Sequence, residues 1–266
     1  MPSVSNIAVG ALVAGSAASK ARHGMNESIA RLSTGLRSMY GGDAGGQSVA
    51  NTLQARSNSW AVAARNAEDG ISAAQTAESA LLEIAALAQR LRELGIQADN
   101  AALLQTASDV AAMNAEASAI GTAITGIITK TTFNGVALLN QTGNANKTHA
   151  IGVTDDGGTV TLTTGVTLGG ITTAAAAGAE GTADTTLTRV AISLGHVAAG
   201  ISALKGRQAV AYSASANLAA AASRIEDTDF AKETASLAKN SVLNQSAMAM
   251  VAQANQAQSA ILAVLQ

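Results

Sequence analysis

The chain has 266 residues, a formal net charge of -2 and no cysteine, and only 2% of its residues are aromatic. This charge gives no electrostatic basis for binding nucleic acid, and the lack of cysteine excludes disulfides and thiolate sites. Pro2 is the only proline, so long helices are permitted along the rest of the chain. No apolar run reaches the roughly 18 residues of a membrane span, and we expect neither membrane insertion nor a cleaved signal peptide.

Two stripes of apolar residues predict the first two helices. The first stripe is narrow and rich in alanine, and it indicates a helix over residues 4–38. Four glycines in the segment 40–47 predict the end of this helix and a domain boundary. The second stripe steps by four and three residues from Ala73 to Ala98 and predicts a long helix. A repeat of seven residues is typical of coiled coils, because it returns each apolar side chain to the face that meets a partner helix.

The middle of the chain changes from helical to strand-like patterns. A third stripe over 103–127 predicts a helix that folds back antiparallel after a turn at residues 99–100. Asn and Gly at 134–135 are a hairpin turn signal, and the alternation within 150–164 predicts a β-hairpin. The Gly, Ala and Thr of residues 169–184 are expected to form an exposed loop.

Two further stripes predict helices at the C-terminal end. The stripe over 190–225 keeps its period without interruption, but the phase shifts at residues 227–229 before a last stripe that reaches 264. We therefore predict a mainly α fold of long antiparallel helices in coiled-coil-like bundles, with a small β-hairpin region in the middle of the chain. The predicted domains are a terminal helical domain of residues 1–40 and 229–266, an inner helical domain with the β-hairpin of residues 41–140 and 187–228, and a middle segment of residues 141–186, which the family resemblance given below implies is a residual variable outer segment.

The side chains needed for catalysis are not arranged in any motif. His23, His149 and His196 fall far apart on different predicted elements, and each is expected to be exposed or at a rim. No protease, hydrolase or metal-binding signature is present, so we predict no catalytic, cofactor-binding or metal site. The sequence therefore does not indicate an enzyme.

The narrow apolar stripes at both ends predict self-association. Alanine-rich faces allow a close approach of helices, but no partner within one subunit would cover them fully. The residues predicted to mediate self-assembly are Ile7, Met25, Ile29, Leu32, Leu36, Phe230, Leu237, Leu243, Met250, Val251, Ile261 and Leu265.

Several long motifs resemble bacterial flagellin. The N-terminal matches are SIARLSTGLR (28–37), GQSVAN (46–51), AARNAEDGISAAQTAESALLEI (63–84), QRLRELGIQ (89–97) and FNGVALL (133–139). The C-terminal matches are SRIEDTDFAKE (223–233) and VAQANQAQSAIL (251–262). The chain departs from the family's usual pattern at its glycine-rich residues 40–46 and in the charge-poor helix 115–130. The resemblance implies a structural subunit that polymerises into the helical filament used for motility, with the terminal helices lining the central channel.

The resemblance also implies a location and partners. Flagellins are extracellular, in the bacterial flagellum, after export through the flagellar secretion apparatus without a cleaved signal peptide. Their partners are further copies, an export chaperone, and the junction and cap proteins. A vertebrate Toll-like receptor contacts a QRVREL-like surface of flagellins, and the matching receptor-binding residues here are Gln89, Arg90, Glu93, Leu94 and Glu116.

Two alternative functions remain open at this stage. The hook–filament junction protein shares the helical ends of flagellins, although the motifs above match flagellin more specifically. The second alternative is an adhesin or enzyme that uses the middle segment, but that segment is too short for a catalytic domain.

Overall fold

The structure, a computed structural model, describes residues 2–37, 43–100, 103, 106–139, 146–166, 168 and 175–264. The helices are α1 (Pro2–Thr34), α2 (Ala44–Ala98), α3 (Ala107–Lys130), α4 (Ala179–Glu226) and α5 (Phe230–Val264). The strands are β1 (Thr132–Phe133), β2 (Val136–Ala137), β3 (Lys147–Gly152) and β4 (Thr159–Gly165). The predicted fold class is confirmed, since long helices dominate and the strands fall in the middle of the chain.

The strands form two antiparallel hairpins, β1 with β2 and β3 with β4. Between β1 and β2, Asn134 (φ 47°) and Gly135 (φ 77°) both have positive φ, as a two-residue turn of this kind requires. The turn between β3 and β4 is closed by the Val153 amide, which donates a hydrogen bond of 2.9 Å to the Gly158 carbonyl. Both turns lie where the sequence placed them.

The described chain divides into two compact units. Unit 1 consists of residues 1–55 and 218–266, and unit 2 consists of residues 56–217. α1 and α5 belong to unit 1, α3 and both hairpins belong to unit 2, and α2 and α4 contribute residues to each. The predicted domain limits at residues 40 and 229 lie between helices, whereas the limits of these two units lie within α2 and α4. The division of the chain into filament domains stays a prediction.

α2 begins inside the glycine-rich segment that was expected to separate two helices. Asp43 caps the helix, because its Oδ1 accepts a hydrogen bond of 2.8 Å from the Gly46 amide. This hydrogen bond lowers the pKa of Asp43 below its usual value. Gly45 and Gly46 therefore lie in the first turn of α2, and the cap offsets their poor helix propensity.

The core of unit 2 is built on the predicted stripe of α2. Ile84, Leu91 and Leu94 are at most 1% exposed and pack with apolar residues of α3 and α4. Leu81 and Ala88 form a second buried row, which lies beside the predicted stripe. α2 needs this wider apolar face because it contacts more than one neighbouring helix.

α3 begins later than its stripe predicted. Leu103 and Thr106, the first two members of that stripe, precede the helix, and Leu103 is 74% exposed. Thr106 is instead the N-cap, whose side chain accepts a hydrogen bond from the Asp109 amide. From Met113 to Ile124 the stripe is buried as predicted, but at its end Ile128 is buried and the predicted Ile127 is half-buried.

α4 begins earlier than predicted, inside the segment that was expected to be an exposed loop. Ala179, Ala183 and Thr186 are buried and extend the four-and-three stepping back from Val190. These buried positions were not predicted to be helical because their side chains are small and add little apolar character to the stripe. Gly178, with a φ of 77°, precedes the helix and allows the sharp change of direction.

The described part of the predicted outer segment, residues 146–166, 168 and 175–186, belongs to the body of unit 2. Val153, Leu162, Thr164 and Leu168 are all at most 2% exposed. A separate projecting segment is therefore not seen within these described stretches.

α4 is the one described helix that is apolar and long enough to cross a bilayer, by length and composition only. A core helix passes the same test, and α4 buries Val190, Val197 and Leu204 within unit 2. The predicted absence of membrane insertion stays a prediction.

The first turn of α4 packs closely on Gly95 of α2. A Cβ atom added at Gly95 would lie 2.5 Å from the backbone nitrogen of Glu180. Because that nitrogen is part of the backbone, a rotamer change cannot relieve the overlap.

We expect Gly95→Ala to destabilise unit 2 although alanine favours the helix. Replacing glycine by alanine in a helix gains about 1 kcal/mol, but overpacking a core costs about 1–3 kcal/mol. The matched control is Gly195→Ala on α4, where an added Cβ meets nothing within 4 Å. Urea unfolding should give Gly195→Ala the higher free energy of unfolding, and equal or reversed stabilities would contradict the proposed close approach.

Candidate functional site

α1 and α5 pack along a seam that repeats every seven residues. On α1 the buried or half-buried seam residues are Ala11, Ala14, Ala18, Ala21, Met25, Ser28 and Leu32. On α5 they are Glu233, Leu237, Asn240, Asn244, Ala247, Val251 and Ala254. Arg31 forms an ion pair of 3.7 Å with Glu233, and a Cβ added at Gly24 would lie 2.7 Å from the Asn240 side chain. Gly24 lies seven residues before Arg31 on α1, whereas Asn240 lies seven residues after Glu233 on α5. The two helices are therefore antiparallel.

The seam contains smaller and more polar residues than the sequence predicted. The predicted α1 stripe passed through Ile29, but Ile29 is 49% exposed and Ser28 is 2% exposed. On α5 the stripe was predicted to pass through Met248, whereas Ala247 is buried and Met248 is 51% exposed. At these two positions the more apolar of two adjacent residues was predicted to face the partner helix. The period of seven instead places the smaller residue in the seam.

Large apolar side chains of α1 and α5 lie on the outside of the pair. The exposed ones are Val9, Leu12, Val13, Ile29, Phe230, Val242, Leu243, Met248 and Met250. We call this set the outer apolar residues. Leu12 is 76% exposed and Val242 is 62% exposed, so the described residues of unit 1 leave them largely uncovered.

The predicted self-assembly residues divide between the seam and the outer apolar residues. Ile29, Phe230, Leu243 and Met250 are exposed. Those that are half-buried are Met25, Leu32, Leu36, Leu237 and Val251. The side chains of Ile7 and Ile261, and the whole of Leu265, lie outside the described residues.

The end of α1 is fastened to the link between α4 and α5. Leu36 and Asp227 form an antiparallel bridge, and the Arg37 amide donates a hydrogen bond of 2.7 Å to the Glu226 carbonyl. The Arg37 guanidinium also donates to the Ile225 carbonyl, at 2.9 Å from Nη2. The end of α1 and the break between α4 and α5 are therefore hydrogen-bonded to each other and form one joint within unit 1.

Four of the five predicted receptor-binding residues are exposed near one another on α2 and α3. Arg90 forms ion pairs with Glu116 at 2.8 Å and with Glu93 at 3.1 Å, and Gln89 precedes it on the same helix. The hydrogen bond to Glu116, followed by that to Glu93, raises the pKa of Arg90 above its usual value. Leu94 is 1% exposed in the core of unit 2, so its side chain offers no surface to a partner.

Unit 2 contains a cavity of about 230 Å³ that no sequence motif indicated. α2 and the two hairpins line it, with Leu138, Ile151 and Leu162 among its apolar walls and Asp69, Asn134 and His149 as its polar groups. His149 Nε2 is buried and has no hydrogen-bond partner among the described residues. His149 as a whole is half-buried, as a rim position implies, although its Nε2 is enclosed.

The described residues contain no group of three or more histidine, cysteine, aspartate or glutamate side chains that could hold a metal ion.

Comparisons with known proteins relate both ends of the chain to one family. Two family models match, the bacterial flagellin N-terminal helical region over residues 6–144 and the bacterial flagellin C-terminal helical region over residues 179–265. A flagellin of Halalkalibacterium halodurans is 37% identical over 253 residues, which cover 90% of this chain and 91% of that protein. A flagellin of Bacillus subtilis is 33% identical over 279 aligned residues, covering 90% and 92% respectively. The crystal structure of Bacillus cereus flagellin aligns with a TM-score of 0.40 at 26% identity, over 58% of this chain and 88% of that one.

His149 should make the stability of unit 2 depend on pH. Burial, and then the charge of Lys147, lowers the pKa of His149 below its usual value of 6.5. Because the unfolded chain binds this proton more readily, stability is full above pH 6.5 and decreases as pH falls toward the lowered folded pKa. We expect the loss of Tm between about pH 7.5 and about pH 5.5 to be smaller in His149→Gln than in the wild type.

The matched control for this measurement is His196→Gln, which removes an exposed histidine from the same unit. This variant should lose as much Tm as the wild type over the same pH range. If His149→Gln loses as much Tm as the wild type over this range, burial of the imidazole does not affect stability.

Proposed function

The chain belongs to the bacterial flagellin family, whose members build the flagellar filament, and we propose that it assembles through the outer apolar residues of α1 and α5. It is a structural subunit of the flagellar filament used for motility, and it is not an enzyme. It polymerises into a homo-oligomeric filament of the extracellular bacterial flagellum. No observation favours the alternative of a hook–filament junction protein.

The single observation that carries the proposed assembly surface is the position of the large apolar side chains of unit 1. Completely burying one Val, Leu, Ile, Phe or Met side chain contributes roughly 1.5–3 kcal/mol. The seam of α1 and α5 buries mainly alanine, serine and asparagine, whereas Leu12, Val242 and Met250 remain more than 60% exposed. Contacts with further copies would bury these side chains and supply stabilisation that the seam lacks.

The assembly that we propose gives the two faces of each helix different roles. The small seam residues bring α1 and α5 together within one copy, and the outer apolar residues contact neighbouring copies. Residues 1–40 and 229–266 would then form the filament core around the channel, and residues 41–140 and 187–228 its wall. Within the proposed outer segment 141–186, the hairpin of β3 and β4 would stay against the wall, because its buried residues pack in unit 2.

The partners that assist export and assembly are also proposed from the family. An export chaperone would keep the apolar ends from associating before secretion, and the flagellar apparatus would export the chain without a cleaved signal peptide. Junction and cap proteins would then meet the ends of the filament. The exposed apolar side chains of unit 1 are the chemistry that such a chaperone would cover.

A vertebrate Toll-like receptor is proposed to bind the monomer at Gln89, Arg90, Glu93 and Glu116. These four side chains are exposed, and Arg90 holds both glutamates within ion-pair distance, so one charged surface is available for recognition. In a filament the same surface would be covered by neighbouring copies, so the receptor would detect only the monomer.

We expect Leu243→Gln to prevent or strongly weaken filament growth without unfolding unit 2. The change removes a side chain that is 48% exposed on α5 and puts a polar amide where a neighbouring copy would pack. Lys239→Gln, a change at an exposed polar position of the same helix, is the matched control and should polymerise. Electron microscopy and sedimentation measure polymer, and long filaments of Leu243→Gln at wild-type yield would refute its place in the assembly surface.

We expect Arg90→Ala to reduce receptor activation by purified monomer at least about tenfold, which corresponds to about 1.4 kcal/mol at one charged contact. The matched control is Arg92→Ala, because Arg92 has the same side-chain exposure of 49% but pairs with Asp184 instead. A reporter-cell assay compares the three monomers. Equal signalling by wild type and Arg90→Ala, or no signalling by wild type, would contradict the receptor proposal and leave the filament function unaffected.

A further inference from the structure

The cavity of unit 2 combines an apolar interior with polar groups that lack partners. Asp69 is exposed on α2 and forms no ion pair or hydrogen bond with the rest of the described chain. Asn134 lies in the turn between β1 and β2, next to Val136, which is 51% exposed at the rim. The enclosed Nε2 of His149 adds a third polar atom without a partner among the residues that the structure describes.

We propose that this cavity is a socket for one basic side chain from a neighbouring copy of the chain in the filament. The proposal rests on the filament function of the family and adds a specific contact to it. Lysine and arginine combine a long apolar stem with a cationic tip, and such side chains place the stem along apolar surface. The stem would contact Leu138, Ile151 and Leu162, while the tip would form an ion pair with Asp69 at the surface.

The cavity is large enough for one long side chain and smaller than a typical pocket for a drug-sized ligand. Pockets that bind drug-sized molecules have volumes of about 300–1,000 Å³. A cavity of about 150 Å³ is enough to hold one benzene molecule. The present volume of about 230 Å³ lies between these values and suits one long side chain.

The occupant must come from outside the copy that forms the cavity. Lys147 lies two residues from His149 on β3, but it does not line the cavity, and neither does any other basic residue of the chain. A contact in which a side chain of one copy enters a pocket elsewhere on the next copy is heterologous. Repeated without closure, such contacts produce an open helical filament, which is the assembly that this family forms.

Photo-cross-linking in the filament tests which residue enters the socket. The chain contains no cysteine, so Val136→Cys can be labelled at the rim with a benzophenone maleimide at a single position. Labelled chains are polymerised with an excess of ¹⁵N-labelled unmodified chains, and mass spectrometry then separates cross-links between copies from those within one copy. Val210→Cys, on an exposed position of α4 in the same unit, is the matched control.

The expected result is a cross-link from residue 136 to a peptide of another copy that contains a lysine or arginine, and a different partner peptide for residue 210. Cross-links only within one copy, no cross-link, or a neighbouring segment without a basic residue would each overturn the socket.

A second measurement uses the monomer concentration that remains in equilibrium with filaments. We expect Asp69→Asn to raise this concentration at least about threefold, because the basic tip loses its carboxylate partner. Asp99→Asn removes the same charge from an exposed position in the turn just after α2 and should leave this concentration unchanged. Ala73→Leu, which fills the cavity from its wall, should have the same effect as Asp69→Asn, provided that its monomer melts at the wild-type temperature.

The outcomes separate the socket from the filament function. If wild-type monomers form filaments and Asp69→Asn behaves like Asp99→Asn, the socket is refuted and the function stands. If wild-type monomers form no filaments under any polymerising condition, the function itself fails.

Discussion

The packing of α1 against α5 through small side chains is the constraint on which the rest of unit 1 depends. Ala18 and Ala21 are at most 5% exposed, and the Asn240 side chain lies against Gly24, where no Cβ intervenes. Small residues let the two helices approach closely, but they remove little apolar area from water at about 25 cal/mol per Å². Ordering the backbone costs about 1–2 kcal/mol per residue, so this seam needs stabilisation from outside one copy. In the proposed assembly, the outer apolar residues supply the surface for this stabilisation.

Unit 2 is built differently, and the difference explains why one chain contains both a stable body and ends that associate. Leu81, Ile84, Leu91 and Leu94 on α2 alone are at most 1% exposed, so these four large side chains are buried within their own copy. The hairpin of β3 and β4 adds Leu162, which is fully buried. Unit 2 therefore has a core of large side chains that is buried within one copy, although Leu82 and Ile96 stay more than half exposed, whereas the seam of unit 1 buries mainly small side chains.

The helices could be predicted from the sequence because a period of seven survives even where the residues are small. The seam of α4 from Val190 to Ile225 was predicted correctly and is buried or half-buried throughout. The errors arose where apolar character and period disagree, as at Ser28 and Ile29, because the sequence alone does not tell which of two adjacent residues faces a partner. The cavity beside His149 could not be predicted at all, since α2 and two hairpins distant in sequence form it together.

The joint between residues 35–37 and 225–228 determines how the outer apolar residues are arranged. The bridge between Leu36 and Asp227 sets the antiparallel register at one end, and Arg31 with Glu233 and Gly24 with Asn240 continue the same register along the pair. A shift of α5 by one residue would break these contacts and would turn Val242 and Met250 through about 100° around the helix axis. A helical filament repeats the same contacts in every copy, so each copy must present the same outer surface. The polar contacts at the joint and in the seam thus contribute less to the free energy of pairing than to its register, and a repeating assembly depends on that register.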